Sequence, residues 1–100
     1  MSYRVLYTDQ FHEALEAQLI YFTEQATPEL RVANWLNELL DLMDSLDESP
    51  KRFPVADLES SIVGLGLRQV VFGNYPAFYS VNDKKREVQL LGLRHAARRP

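Results

Sequence analysis

Thr27-Pro28-Glu29 separates two stretches of helical periodicity, and this punctuation limits the possible folds more than any other part of the chain. Upstream, Leu15, Leu19 and Phe22 follow Phe11 at helical spacing, flanked by Ala14 and Ala17. Downstream, Val32, Ala33, Leu36, Leu39, Leu40, Met43 and Leu46 form a broad apolar stripe. Asn34, Asn37, Glu38, Asp41 and Asp44 fall mostly outside it, as on a helix buried along one side. Between the stretches, Thr27 offers a cap and Pro28 suits a first helical position. Glu29 then lies where the helix dipole favours an anion. So short a connection predicts an αα-hairpin, its first helix ending near Gln25-Ala26.

The remainder reads as strands. Tyr3-Arg4-Val5-Leu6-Tyr7-Thr8 is rich in aromatic and β-branched residues, which predicts a first strand. Thr8 and Asp9 then offer cap oxygens to the first helix. The run from Asp47 to Pro54 holds two prolines and several charges, so it is a loop, with Phe53 plugging the core between Pro50 and Pro54. A short helical turn is expected near Asp57–Ser61, and Gly64 and Gly66 open the next strand. Leu67–Phe72, Asn74–Val81 and Glu87–Leu93 are three strands joined by Gly73-Asn74 and by the polar Asn82–Arg86, an antiparallel meander. In the middle strand, NYPAFYSV, alternation puts Tyr75, Ala77, Tyr79 and Val81 on one face, and Pro76, Phe78 and Ser80 on the other. Pro76 is tolerable there because it sits at the strand's first residues, where a missing N–H need not break the ladder. The expectation is a single α+β domain over residues 1–100, with an N-terminal strand and an αα-hairpin packed on a small antiparallel sheet.

Composition bounds the function. With 46% hydrophobic and 25% charged residues, 100 residues make one ordinary globular core. No run of 18 apolar residues is present, so a transmembrane helix is not expected. The first residues lack the basic and apolar segments of a secretion signal, which points to the cytoplasm. Cysteine is absent, which removes thiolate metal sites and disulfides. The carboxylates are too dispersed to make a metal site by spacing, and no cofactor motif is present. Residues 1–50 carry two basic against ten acidic residues, or −8, while residues 51–100 carry nine against four, or +5, giving the net −3. Either the second half meets an acidic partner or the two halves attract each other within the fold.

One ordered set of residues resembles a known family. Leu67-Arg68, Gly73-Asn74-Tyr75, Phe78-Tyr79, Val81 and Leu93-Arg94-His95-Ala96-Ala97-Arg98 follow a strand, a helix pair and a Pro-containing loop. From Tyr3 to Arg98 this is similar to the ParE/RelE toxin superfamily of type II toxin–antitoxin modules, and the ending looks like that of the ParE-like branch. The resemblance implies a small toxin of plasmid-stabilisation type, wrapped by a cognate antitoxin and arresting bacterial growth when freed. RelE-like members cleave messenger RNA on the ribosome, whereas ParE-like members are associated with poisoning DNA gyrase. An inactive member that only pairs with its antitoxin is a third possibility.

In RelE-like nucleases a tyrosine–arginine–two residues–tyrosine motif brings its arginine to the scissile phosphate. Here Tyr75-Pro76-Ala77-Phe78-Tyr79 has Pro76 at that place. A pyrrolidine ring has no donor for a developing phosphorane, and losing one such donor typically costs about 10²–10³ in rate. If the chain is a nuclease, His95 is the candidate acid or base. Arg68, Arg94 and Arg98 would then hold phosphates, with the Lys51-Arg52 pair approaching from the loop, and Tyr79 would complete the site. If it is not, Arg68, Tyr79, Arg94, His95 and Arg98 are the candidate antitoxin-binding residues. A lone histidine at a strand end more often caps a carbonyl or packs on the sheet, and His12, among acidic neighbours, is read as surface. The acidic whole, with basic residues gathered in Lys84-Lys85-Arg86 and Arg94, Arg98, Arg99, favours a protein target over RNA.

Overall fold

The computed structural model describes residues 2–56 and 66–94. The helical turn expected near Asp57–Ser61 lies outside these residues, as do His95 and Arg98. Strand β1 (Arg4–Tyr7) leads into helices α1 (Asp9–Glu24) and α2 (Glu29–Asp44), followed by a single 3-10 turn over Ser45–Asp47. After the segment carrying Pro50 and Pro54 come β2 (Arg68–Phe72), β3 (Tyr75–Asn82) and β4 (Glu87–Leu93).

The sheet runs β1-β4-β3-β2. β2, β3 and β4 form the expected antiparallel meander. β1 changes the picture, because it pairs with β4 in parallel, Val5 beside Val88 and Tyr7 beside Leu90, so the sheet is mixed. A parallel partner requires a long crossover, and the helix pair and meander between β1 and β4 supply one. Both helices cover a single face of this sheet. Phe11, Leu39, Met43 and Leu46 meet Val70, Ala77, Tyr79, Val88, Leu90 and Leu93 in one buried cluster. Tyr75 and Val81 pack against that cluster, so the β3 alternation read from sequence holds. Phe53 packs there too, as its flanking prolines suggested.

Pro76 lies inside a central strand, and the register explains why this is tolerated. The two-residue turn at Gly73-Asn74 makes Phe72 and Tyr75 the closing hydrogen-bonded pair, so the next pair, Val71 and Pro76, needs no N–H from proline. On the other side the β3–β4 ladder starts only at Ala77 beside Leu93. Beyond it, Pro76 contributes just its carbonyl, which accepts from Arg94 N at 2.9 Å. Gly73 has φ +61°, as the first central position of a II′ turn requires, which suits glycine above other residues.

Thr8 caps α1 as expected, its Oγ1 accepting from Phe11 N at 3.3 Å. The same hydroxyl donates to Leu90 O at 2.6 Å and so anchors the helix start to β4. The α1–α2 junction departs from the sequence reading. Ala26 turns left-handed at φ 53°, Ala26 N donates to Thr23 O and Thr27 N to Phe22 O, which is a Schellman ending. Thr27 therefore closes α1 with its backbone. Pro28 stands at the α2 cap, with no side-chain cap hydrogen bond. A Cβ in the left-handed region costs about 1–2 kcal/mol, so Ala26→Gly is expected to raise stability by roughly 0.5–1 kcal/mol after its own entropy loss. Chemical denaturation of the two proteins measures the difference.

Candidate functional site

Two of the residues singled out in the sequence, Tyr79 and Arg68, meet the loop between Pro50 and Pro54. Tyr79 rises from the middle of β3 towards the helices because Ala77 and Val81, its partners in alternation, face the core. Its side chain has no exposed surface, and its hydroxyl donates to Pro50 O at 2.6 Å. Burial pushes the Tyr79 phenol up from its ordinary pKa, against the lowering influence of nearby Arg68 and Arg52, so it remains a neutral donor. Arg68 starts β2, in register with Tyr79. Its Nη1 donates to Phe53 O at 2.6 Å and to Lys51 O at 3.2 Å. Gln69 N reaches Pro54 O at 3.0 Å, and Val55 bridges to Arg68. The loop is thus stitched to the sheet by two side chains read from sequence as catalytic or partner-binding. Any effect of Tyr79 on a partner must run through the loop it holds.

The loop's other fastenings were not legible in the sequence. Lys51 Nζ pairs with Asp83 Oδ2 at 2.7 Å, and Tyr3 donates to Asp83 Oδ1 at 2.8 Å. Arg86 lies over the Tyr3 ring, 5.3 Å from its centroid. Arg52 donates to Ser45 Oγ and stacks on Phe53. The contacts of Tyr3 with Asp83 and Arg86 join residues 80 or more positions apart, and no local spacing signals them. The Lys51 hydrogen bond, then that of Tyr3, holds the Asp83 carboxyl below its ordinary pKa. A depressed folded-state pKa stabilises above the ordinary carboxylate value and is lost as pH falls through the depressed one. Melting curves from neutral to acid pH are therefore expected to show a steeper acid loss for the parent chain than for Asp83→Asn.

Arg94 behaves differently. It is exposed, just past β4, and its guanidinium lies over the Phe78 ring at 4.8 Å from the centroid. Phe78 alternates with the core residues Ala77 and Tyr79, which puts this stack on the face of the sheet away from the helices. His95 and Arg98 follow Arg94 in sequence but lie outside the described residues. His12 is exposed on α1, as read. Trp35 is part of an aromatic cluster, edge-on to Phe22 and Tyr75 at 5.0 Å and 6.1 Å from Phe72. Among the described residues, no group of three His, Asp or Glu side chains is placed to hold a metal, and no helix is long and apolar enough to cross a membrane.

Two solved structures share this architecture. The toxin–antitoxin complex RelBE2 from Mycobacterium tuberculosis superposes with a TM-score of 0.64 at 19% identity, covering 95% of this chain and 99% of that one. The archaeal RelE–RelB complex from Pyrococcus horikoshii gives 0.60 at 22% identity, covering 99% and 100%. At these identities the likeness establishes the fold. No curated protein matches the sequence. The profile of a family described as the ParE toxin of the type II toxin–antitoxin system parDE matches residues 5–100. That match takes in β1, both helices, the stitched loop, the meander and the Arg94 end, and the chain therefore belongs to the ParE toxin family of type II toxin–antitoxin systems.

Proposed function

We propose that this toxin acts by gripping DNA gyrase in the cytoplasm, and that a cognate antitoxin neutralises it by covering the surface around Arg94. The observation that carries the first part is the inward commitment of two nuclease candidates, Tyr79 and Arg68. Tyr79 is buried with its hydroxyl on Pro50 O, and Arg68 is spent on two loop carbonyls. Pro76 adds no donor where RelE-like nucleases place an arginine. Phosphodiester cleavage needs a base, an acid and a cation facing one phosphate, and of the described candidates Tyr79 and Arg68 face the loop instead. Membership of the ParE family and the acidic whole point the same way. The test is a gyrase supercoiling and DNA-cleavage assay with the purified chain, beside ribosomes programmed with messenger RNA. Gyrase inhibition with intact message is expected.

For the antitoxin, Arg94 is the exposed member of the candidate set among the described residues, with His95 and Arg98 adjoining it in sequence. A disordered acidic segment that orders on this face would meet Arg94 with a carboxylate and the sheet with its apolar side. Arg94→Glu is expected to weaken the complex at least about tenfold by turning an attraction into a repulsion. Calorimetric titration with the antitoxin measures it, and unchanged affinity would count against this docking face. Arg68 and Tyr79 contribute by holding the loop.

A further inference from the structure

The two helices touch through Phe22 and Trp35. Towards the start of α1 and the end of α2, an open groove of about 280 Å³ is lined by Tyr7, His12, Leu15, Leu40 and Asp44. Leu15 and Leu40 supply facing aliphatic walls from α1 and α2, and Tyr7 of β1 closes one side. Tyr7 donates to Asp44 Oδ1 at 2.5 Å, which fixes the carboxylate, while Oδ2 has no partner among the described residues. Burial and then this bond push the Tyr7 phenol well above its ordinary pKa, so it stays a donor. Glu16 lies one turn beyond His12 on the same helix face. Between Val5 and Pro50 the only Lys or Arg is Arg31, and along α2 it stands about 20 Å from Asp44. Arg52, which reaches the neighbouring Ser45, is engaged by that hydroxyl and by the Phe53 ring.

An apolar trough with a fixed carboxylate, cut into a half-chain of charge −8, selects a complementary occupant. We infer that this groove docks a basic amphipathic helix of a protein partner. Two aliphatic side chains one turn apart would fill the space between Leu15 and Leu40, and a Lys or Arg on the following turn would reach Asp44 Oδ2. The site lies in the helical layer, opposite in charge and in face to the Arg94 surface, so both can be occupied at once. It does not depend on the identity of the toxin's target.

The probe is a synthetic helix of about four turns with leucines along one face and lysines elsewhere, titrated into the full chain by fluorescence anisotropy. Its counterpart carries glutamates in place of the lysines. Binding of the lysine peptide is expected, with methyl NMR shifts at Leu15 and Leu40, and Asp44→Lys should weaken it at least about tenfold. Glu29→Lys, at the far end of α2, should change it by less than about twofold, since exposed charges that far apart are screened. Lysine-peptide binding that fails, is weakened equally by both reversals, or shifts methyls elsewhere overturns the inference. So does equal binding of the glutamate peptide.

Discussion

Tyr79→Ala is expected to cost the fold about 3–5 kcal/mol, the range for truncating a fully buried aromatic side chain. Against a total stability on the order of 5–15 kcal/mol for a domain of this kind, such a loss leaves the chain close to unfolding. Among the described residues Tyr79 is the largest side chain without exposed surface, and it sits where Leu90 of β4 and Arg68 of β2 flank it in register. The more informative variant is Tyr79→Phe, which keeps the ring and deletes the hydroxyl. Pro50 O then loses its donor in a buried setting, at a cost of roughly 1–3 kcal/mol. Denaturant titration gives both values. A Tyr79→Phe protein as stable as the parent would mean that the 2.6 Å bond to Pro50 contributes nothing to the native state.

Arg68→Met carries the second large effect, a destabilisation of about 1.5–3 kcal/mol, because a charged donor to two carbonyls disappears while the apolar stem is kept. Its consequences should concentrate in the loop. Amide exchange is expected to accelerate from Lys51 to Ala56, where Ala56 N otherwise donates to Leu67 O at 2.7 Å. Arg68 and Tyr79 fasten the same segment, so the double variant Arg68→Met, Tyr79→Phe should cost less than the sum of the two singles. Strict additivity would show that the two side chains act on separate structural units. The same cycle separates two roles for Arg68. If it meets the antitoxin directly, affinity falls with the loop intact; if it acts by holding the loop, affinity and loop protection fall together.

Much of the architecture was legible because the periodicities are clean. The stripe from Val32 to Leu46, the Gly73-Asn74 turn and the alternation of NYPAFYSV each have one straightforward structural solution, and the structure adopts it. Two local features were not legible. The Schellman ending at Ala26 uses a residue with no preference for φ above zero, so no glycine marked it. The parallel pairing of β1 with β4 depends on a crossover, and crossovers leave no local signature. At the candidate site, residue types suggested chemistry that geometry redirects. Arg68 and Tyr79 are the kinds of side chain that hold phosphates or partners, yet alternation and register turn them towards loop carbonyls. The converse holds for Asp83, Tyr3, Tyr7 and Asp44. Their pairings span 37 to 80 positions, and nothing nearby in sequence announces them.

Everything proposed about activity hangs on whether a scaffold with proline at position 76 and its tyrosine locked inward harms cells through a protein or through RNA. Incubating the purified, antitoxin-free chain with gyrase and relaxed plasmid, and in parallel with ribosomes on a defined message, decides this in one experiment. Blocked supercoiling with trapped, cleaved plasmid and an uncut message is the expected outcome. Ribosome-dependent scission of the message, with gyrase unaffected, would contradict the account.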